Sequence, residues 1–234
     1  MKDTILFDLG NTLVYYWEGE EFDGILRQCI GNVQGYLDGA SLLRVSPEEM
    51  WCRVKAEDYE RPDGRVRPLE NRLKRIFALE PEVGPEVVEA MCDCFVRPFF
   101  GRACRYEDTL PTLAALRAEG FCTAIISNLP WGSPAAPWHQ EVARQGLVPY
   151  TNAVIFCTDA GWRKPARPIF EFALDLCGAK PQNCLFVGDN SVWDVAGPRA
   201  LGMEAVLIDR HGGASAPEEE PIRGLDELWA RLRT

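Results

Sequence analysis

Five short apolar runs, at residues 4–8, 121–127, 153–157, 184–187 and 205–208, constrain this chain more than any other feature. The last four adjoin segments of helical periodicity, and strands that alternate with helices point to a parallel sheet joined by crossover helices. Two of those helices are readable in detail. Asp108 to Glu119 carries Leu110, Leu113 and Leu116 with Pro111 early in the helix, while Ala166 to Cys177 opens with Pro168 and ends before Gly178. Proline near the start and glycine past the end are the usual helix limits. The pattern predicts an α/β fold, a Rossmann-like parallel sheet with helices on both faces.

Residues 15–99 break the alternation, because no convincing strand occurs there. Phe22, Ile25, Leu26, Ile30, Val33 and Leu37 keep a helical stripe, and Pro47 to Tyr59, Leu69 to Leu79 and Val87 to Val96 are further helix candidates. The chain therefore divides into an α/β core of residues 1–14 and 100–234 and an all-helical insertion of residues 15–99. Its expected hinges are the segment after Val14 and the stretch Arg97 to Arg105, which contains Pro98 and Gly101. The charged loop Arg61 to Pro68 is expected to join helices inside the insertion.

With 25 Lys and Arg against 35 Asp and Glu, the formal net charge is −10, which argues against a broad nucleic-acid or anionic-membrane surface. No stretch approaches the roughly 18 apolar residues of a membrane span. Met1, Lys2 and Asp3 run straight into the first strand, leaving no room for a secretory leader. Nine cysteines, an odd number without any C-x-x-C pair, fit reduced thiols packed in the core of a cytoplasmic protein. The Glu218 to Glu220 run reads as a solvated loop.

In an open parallel sheet, reactive groups gather beyond the C-terminal ends of the strands. Polar residues recur there: Asp8 after the first run, Ser127 and Asn128 after the second, Lys164 in the loop after the third, and Gly188 with Asp189 after the fourth. Such coincidence points to one composite site. Asp8, followed by Gly10, Asn11 and Thr12 that can turn tightly and expose N–H groups, suits a nucleophile beside an anion pocket.

These residues resemble the haloacid dehalogenase superfamily of hydrolases, in particular members with a helical cap inserted after the first motif. Phe7-Asp8-Leu9-Gly10-Asn11-Thr12-Leu13 looks like the first motif, Ile126-Ser127-Asn128 the second, Gly161-Trp162-Arg163-Lys164-Pro165 the third, and Val187-Gly188-Asp189-Asn190-Ser191-Val192-Trp193-Asp194 the fourth. The resemblance implies that Asp8 attacks phosphorus to form an aspartyl phosphate, and that Asp8, Asp189 and the Gly10 carbonyl bind Mg2+. It gives Lys164 the task of stabilising transferring charge, and makes Asp194 a partner that orients Lys164 or metal-bound water. Thr12, Ser127 and Asn128, with Lys164, would hold the phosphate. The implied substrate is a small phosphorylated metabolite.

At Gly10 this chain departs from the family, whose members usually carry a general acid and base there. Glu18, Glu20, Glu21, Asp23 and His139, the last expected in a loop after Asn128, are candidate replacements. Tyr15, Tyr16, Trp17, Trp131 and Trp138 either shape a substrate pocket or pack between the two regions. Two alternatives stay open. One is a metal-independent 2-haloacid dehalogenase, whose pattern Trp193-Asp194 resembles; the other is a phosphate-binding or protein-binding relative that has lost rapid catalysis.

Overall fold

Each of the five apolar runs forms a strand, because a strand covered on both faces needs no polar alternation. The computed structural model describes residues 2–57, 62–212 and 220–232. Its strands are β1 (Thr4–Phe7), β2 (Val14–Tyr15), β3 (Cys104–Arg105), β4 (Cys122–Ser127), β5 (Ala153–Phe156), β6 (Cys184–Gly188) and β7 (Glu204–Leu207). Five of them make one parallel sheet in the order β5-β4-β1-β6-β7, with β1 at the centre and buried along its length. The α/β class and the parallel sheet expected from the sequence are both present. The register sets Phe7 opposite Ile125 on one side and Val187 on the other, so Asp8, Ser127 and Gly188 emerge at one edge.

The remaining two strands, β2 and β3, pair antiparallel and are not expected from the sequence. At two residues each they are too short to give a periodicity signal. Between them lie α1 (Glu21–Gly39), α2 (Pro47–Ala56), α3 (Leu69–Ile76) and α4 (Pro85–Phe100). Helix α1 buries Ile25, Cys29, Ile30, Val33 and Leu37; of the predicted stripe, Phe22 and Leu26 are only partly buried, and Cys29 joins it. Ser46 caps α2, its side chain accepting the Glu49 N–H at 3.2 Å, and Pro47 opens the helix. Asp58, Tyr59 and Arg61, which the sequence pattern assigns to the α2 helix and the following loop, lie outside the described residues, as do Glu218 and Glu219.

Helix α4 continues through Pro98 and ends at Phe100, inside the stretch Arg97 to Arg105. A proline removes the N–H that would bond to the carbonyl four residues earlier. That carbonyl, on Cys94, is instead approached by Asn32 Nδ2 of α1 at 3.4 Å. The helices that follow are α5 (Thr109–Ala118), α6 (Ala135–Arg144), α7 (Cys157–Ala160) and α8 (Arg167–Cys177). Helix α6 corrects an expectation, since His139 stands on it and not in a loop. Trp138 and Val142, four residues apart and buried, are the signal for it. The buried apolar residues of α1 to α4 are continuous with those of the sheet and its helices, forming one core.

Candidate active site

The strand ends and the loops after them bring Asp8, Lys164, Asp189 and Asp194 together, and hydrogen bonds hold them in place. The Asp8 N–H donates to the Val187 carbonyl at 2.9 Å, holding the residue in line with β6. Lys164 Nζ donates to Asp8 Oδ1 at 2.8 Å and to Asp194 Oδ1 at 2.6 Å. Oxygens of Asp8, Asp189 and Asp194 lie within 4.8 Å of one another, a spacing that can hold a metal ion. One lysine thus serves a cluster of three acids.

Asn128 fixes Lys164 from behind. Its Nδ2 donates to the Lys164 carbonyl at 3.0 Å and its Oδ1 accepts the Lys164 N–H at 2.9 Å. Asp194 is held by a π-helical turn, Ser191–Ala196, whose first N–H groups bond to the Asn190 side chain at 3.0 and 2.9 Å. The Asn190 N–H in turn donates to Asp194 Oδ2 at 3.1 Å. Gly188 makes room for this arrangement, because a Cβ there would stand 2.4 Å from the Asp194 side chain. Any larger residue would displace Asp194 from Lys164.

Charge and burial set the electrostatics. Burial pushes the Asp194 carboxyl up to about 7 although Lys164 opposes it. Asp189 is held well above the usual carboxylate range by burial and then by the charges of Asp8 and Asp194. Burial pulls the Lys164 ammonium down, but Asp194 and Asp8 outweigh it and raise its value above that of an ordinary lysine. Carboxylates that resist ionising together favour a cation among them.

The crevice, about 310 Å³, is lined by Asp8, Gly10, Ser127, Asn128, Lys164 and Asp189, all of them expected from the sequence. Thr12 and Asp194 are not on its wall. Thr12 is wholly buried, and its hydroxyl has no partner among the described residues. Asn11, expected only to shape the turn after Asp8, also lines the crevice, as do Arg163, Asn190 and Trp193, to which the sequence gives no role there. Asn11 carries a readable signal: a residue after Gly that tolerates positive φ, here 53°, and whose amide bonds to the Trp17 carbonyl at 2.9 Å.

Of the aromatic candidates, Tyr16 and Trp17 reach the wall, while the buried Trp131 and Trp138 do not. None of the suggested replacement acids lines the crevice. Glu18 pairs with His211 at 2.8 Å, Glu21 with Arg102, and His139 with Asp159 at 3.3 Å.

A strap from the helical segment also reaches the Lys164 loop. The Arg163 N–H donates to the Gly64 carbonyl at 2.8 Å, the Val66 N–H donates to the Gly161 carbonyl at 3.2 Å, and the Arg65 guanidinium lies 3.6 Å over the Trp162 ring. Behind the strap, Arg72 Nε of α3 donates to the Arg67 carbonyl at 3.3 Å. Gly64 has φ +65°, and a Cβ on it would meet Ala166 Cβ at 2.7 Å. Gly64→Val is therefore expected to cost about 2 kcal/mol or more through backbone strain and overpacking. An unchanged urea midpoint would contradict this account of the strap.

Sheet order, a central strand that leads into Asp8 and an acid cluster with its own lysine together define a Rossmann-like hydrolase. More narrowly, the chain belongs to the haloacid dehalogenase-like hydrolases, whose family model matches residues 2–202. It is 28% identical over 181 residues to the phosphoserine phosphatase of Thermus thermophilus, covering 77% of this chain and 71% of that one. It is also 30% identical over 131 residues to the (S)-2-haloacid dehalogenase 4A of Burkholderia cepacia, a match covering 54% of each. Among solved structures, a HAD phosphatase from Thermococcus onnurineus superposes with a TM-score of 0.68 at 24% identity, covering 99% of this chain and 98% of that one, a likeness of fold.

Proposed function

We propose that the protein is a Mg2+-dependent phosphohydrolase of a small phosphorylated metabolite, acting through an aspartyl phosphate on Asp8. The observation that carries this reading is the set of three mutually close carboxylates with Lys164 bonded to two of them. A donor set made only of oxygens suits a hard cation, and the raised Asp189 carboxyl is the mark of acids that need one. Asp8, Asp189 and the Gly10 carbonyl would hold the ion, which supplies charge neutralisation at the phosphoryl oxygens.

This chain's own residues do the rest. Asp8 attacks phosphorus, and Lys164 balances negative charge on the transferring group. Asp194, fully buried, keeps the lysine ammonium directed at Asp8. Ser127 at the end of β4 binds phosphate oxygens, Asn128 fixes the Lys164 backbone, and the turn after Asp8 is held at the Thr12 carbonyl, which accepts from the Arg210 guanidinium at 2.7 Å. Residues 15–99 act as a cap: Tyr16, Trp17 and Phe22 form its part of the crevice wall, and closure excludes water and selects the leaving group. A metal-independent dehalogenase would have no use for the acidic Asp189 beside Asp8.

Phosphate release from monoesters and acyl phosphates with and without Mg2+, beside halide release from a 2-haloacid, tests the reading. Metal-dependent phosphate release is expected; halide release without metal would overturn it.

Proton linkage gives a second check. The raised folded-state values of Asp189 and Asp194 make the metal-free protein bind protons more tightly than the unfolded chain does. Their contribution to stability is present below about pH 4, where an unfolded Asp titrates. It is lost as pH rises through the folded-state value, about 7 for Asp194. Metal binding must displace these protons. The rise in Tm caused by millimolar Mg2+ is therefore expected to be larger near pH 8 than near pH 5.5; an equal or smaller rise would contradict it.

A further inference from the structure

Gly10 leaves the leaving-group side of Asp8 without a carboxyl side chain, and the surrounding wall does not replace it. The other crevice residues that could give up a proton are Tyr16, Lys164, Arg163, Asp189 and the Ser127 hydroxyl. Lys164 is committed to Asp8 and Asp194. Asp189 sits in the acid cluster, and a guanidinium or an aliphatic hydroxyl is too weak an acid. Tyr16 lies beside Gly10, whose Cβ position is 3.8 Å from Tyr16 Cδ2. Its hydroxyl is buried without a hydrogen-bond partner among the described residues, and a phenol is a weak acid at neutral pH.

The same crevice is walled by rings from two directions. Tyr16 and Trp17 come from the segment leading into α1 and Phe22 from its first turn, with Trp17 and Phe22 centroids 5.7 Å apart, and Trp193 comes from the turn carrying Asp194. Trp17, Phe22 and Trp193 are only partly buried, so each keeps a surface open to a ligand. Aromatic rings stack or meet edge to face with planar apolar groups. The volume of about 310 Å³ lies at the small end of ligand pockets, sufficient for a phosphoryl group and one ring.

Resting on the phosphohydrolase reading, we propose that the substrate is an aryl phosphate monoester, its ring held between Trp17 and Trp193. A phenol ionises near pH 10, as the tyrosine side chain does. An alkoxide is about as basic as hydroxide, whose conjugate acid, water, has a pKa of about 15.7. The aryloxide is thus roughly six units the better leaving group and departs without an enzyme acid. In the first step the Asp8 Oδ–P bond forms as the P–O(aryl) bond breaks; the aryloxide leaves with the electron pair and takes its proton from solvent. In the second, water attacks phosphorus, the P–O(Asp8) bond breaks, and phosphate and the free carboxylate are restored. No redox partner is needed.

The test measures phosphorylation of the full-length protein in Mg2+ by phenyl, benzyl, cyclohexyl and acetyl phosphates in single-turnover experiments. Phenyl phosphate is expected to exceed benzyl phosphate by about 100-fold or more, since benzyl keeps the ring but leaves as an alkoxide. Benzyl and cyclohexyl phosphates both leave as alkoxides, and benzyl is expected to be the faster through its ring. Trp17→Leu and Trp193→Leu should weaken phenyl phosphate at least tenfold more than acetyl phosphate, mainly in the concentration dependence. Trp17→Phe should restore most of the loss, and circular dichroism checks that each variant folds. Equal rates for phenyl and cyclohexyl phosphates, or equal losses on phenyl and acetyl phosphates, would overturn the proposal. Phosphorylation by acetyl phosphate alone would remove the aryl assignment but keep the phosphohydrolase; phosphorylation by none of the four would remove both.

Discussion

Asp8→Asn is expected to lower phosphate release by on the order of 10^4-fold or more, the scale of loss when a covalent nucleophile is removed. The amide keeps the size of the carboxylate and an oxygen that can still accept from Lys164, which now bonds to Asp8 at 2.8 Å. It cannot form the acyl phosphate. The same change removes one of the charges that raise the Asp189 carboxyl, so the metal-free variant is expected to be at least as stable as the parent. Lys164→Met makes the opposite case. It leaves Asp8 and the fully buried Asp194 without their shared cation, and breaking such a buried pair typically costs about 3–5 kcal/mol. Thermal melts without Mg2+, together with a search for covalently bound phosphate, read both effects. A stable phosphoenzyme on Asp8→Asn would place the nucleophile elsewhere.

The contrast between these two variants follows from how the crevice is built. Lys164 is the only ammonium bonded to the acid cluster among the described residues, and its loop is held on three sides. Asn128 bonds both of its backbone groups, Asp194 takes its side chain, and the Gly64–Val66 strap pairs with Gly161 and Arg163 on its flank. Because the strap belongs to the helical segment, placement of the lysine is coupled to placement of the segment that carries Tyr16, Trp17 and Phe22 on the crevice wall. A strain introduced at Gly64 is expected to reach the Lys164 loop through the hydrogen bond from Arg163 and the contact with Ala166.

What the sequence discloses and what it hides divide along physical lines. The strands are legible because a buried parallel strand is a continuous apolar run, as in β1 and β6. Their C-terminal ends locate Asp8, Ser127, Asn128 and Asp189 on the crevice wall because parallel register brings such ends to one edge. Helix α6 and the continuation of α4 through Pro98 are hidden, since both depend on partners distant in sequence. Asn32 approaches the carbonyl that Pro98 leaves open. The strap is hidden for the same reason: Arg65 meets Trp162 across nearly a hundred residues of chain, and no local pattern announces the contact. Trp193 belongs to the fourth motif, but its place in the chain does not tell which way its ring faces.

Gly10→Asp is expected to accelerate phosphorylation by alkyl phosphates by about 10^2- to 10^4-fold, equivalent to roughly 3–5 kcal/mol of barrier. The site has room for it: a Cβ on Gly10 meets nothing nearer than Tyr16 Cδ2 at 3.8 Å, an ordinary contact, and the residue does not require the left-handed backbone of a glycine. Such an Asp would start beside the ring of Tyr16, two residues from Asp8 on the crevice wall. Phenyl phosphate should gain much less in this step, because its leaving group needs no proton, so the variant should narrow the gap between phenyl and benzyl phosphates. Hydrolysis of the phosphoenzyme should quicken for every substrate, since the same carboxylate can activate water. The added acid also enlarges a cluster whose members already repel, so the metal-free variant should melt lower and respond more strongly to Mg2+ than the parent. If phenyl and benzyl phosphates react equally in the parent and Gly10→Asp changes neither, a proton donor is already at work, and the position of Tyr16 beside Gly10 makes its hydroxyl the first to replace, by Phe.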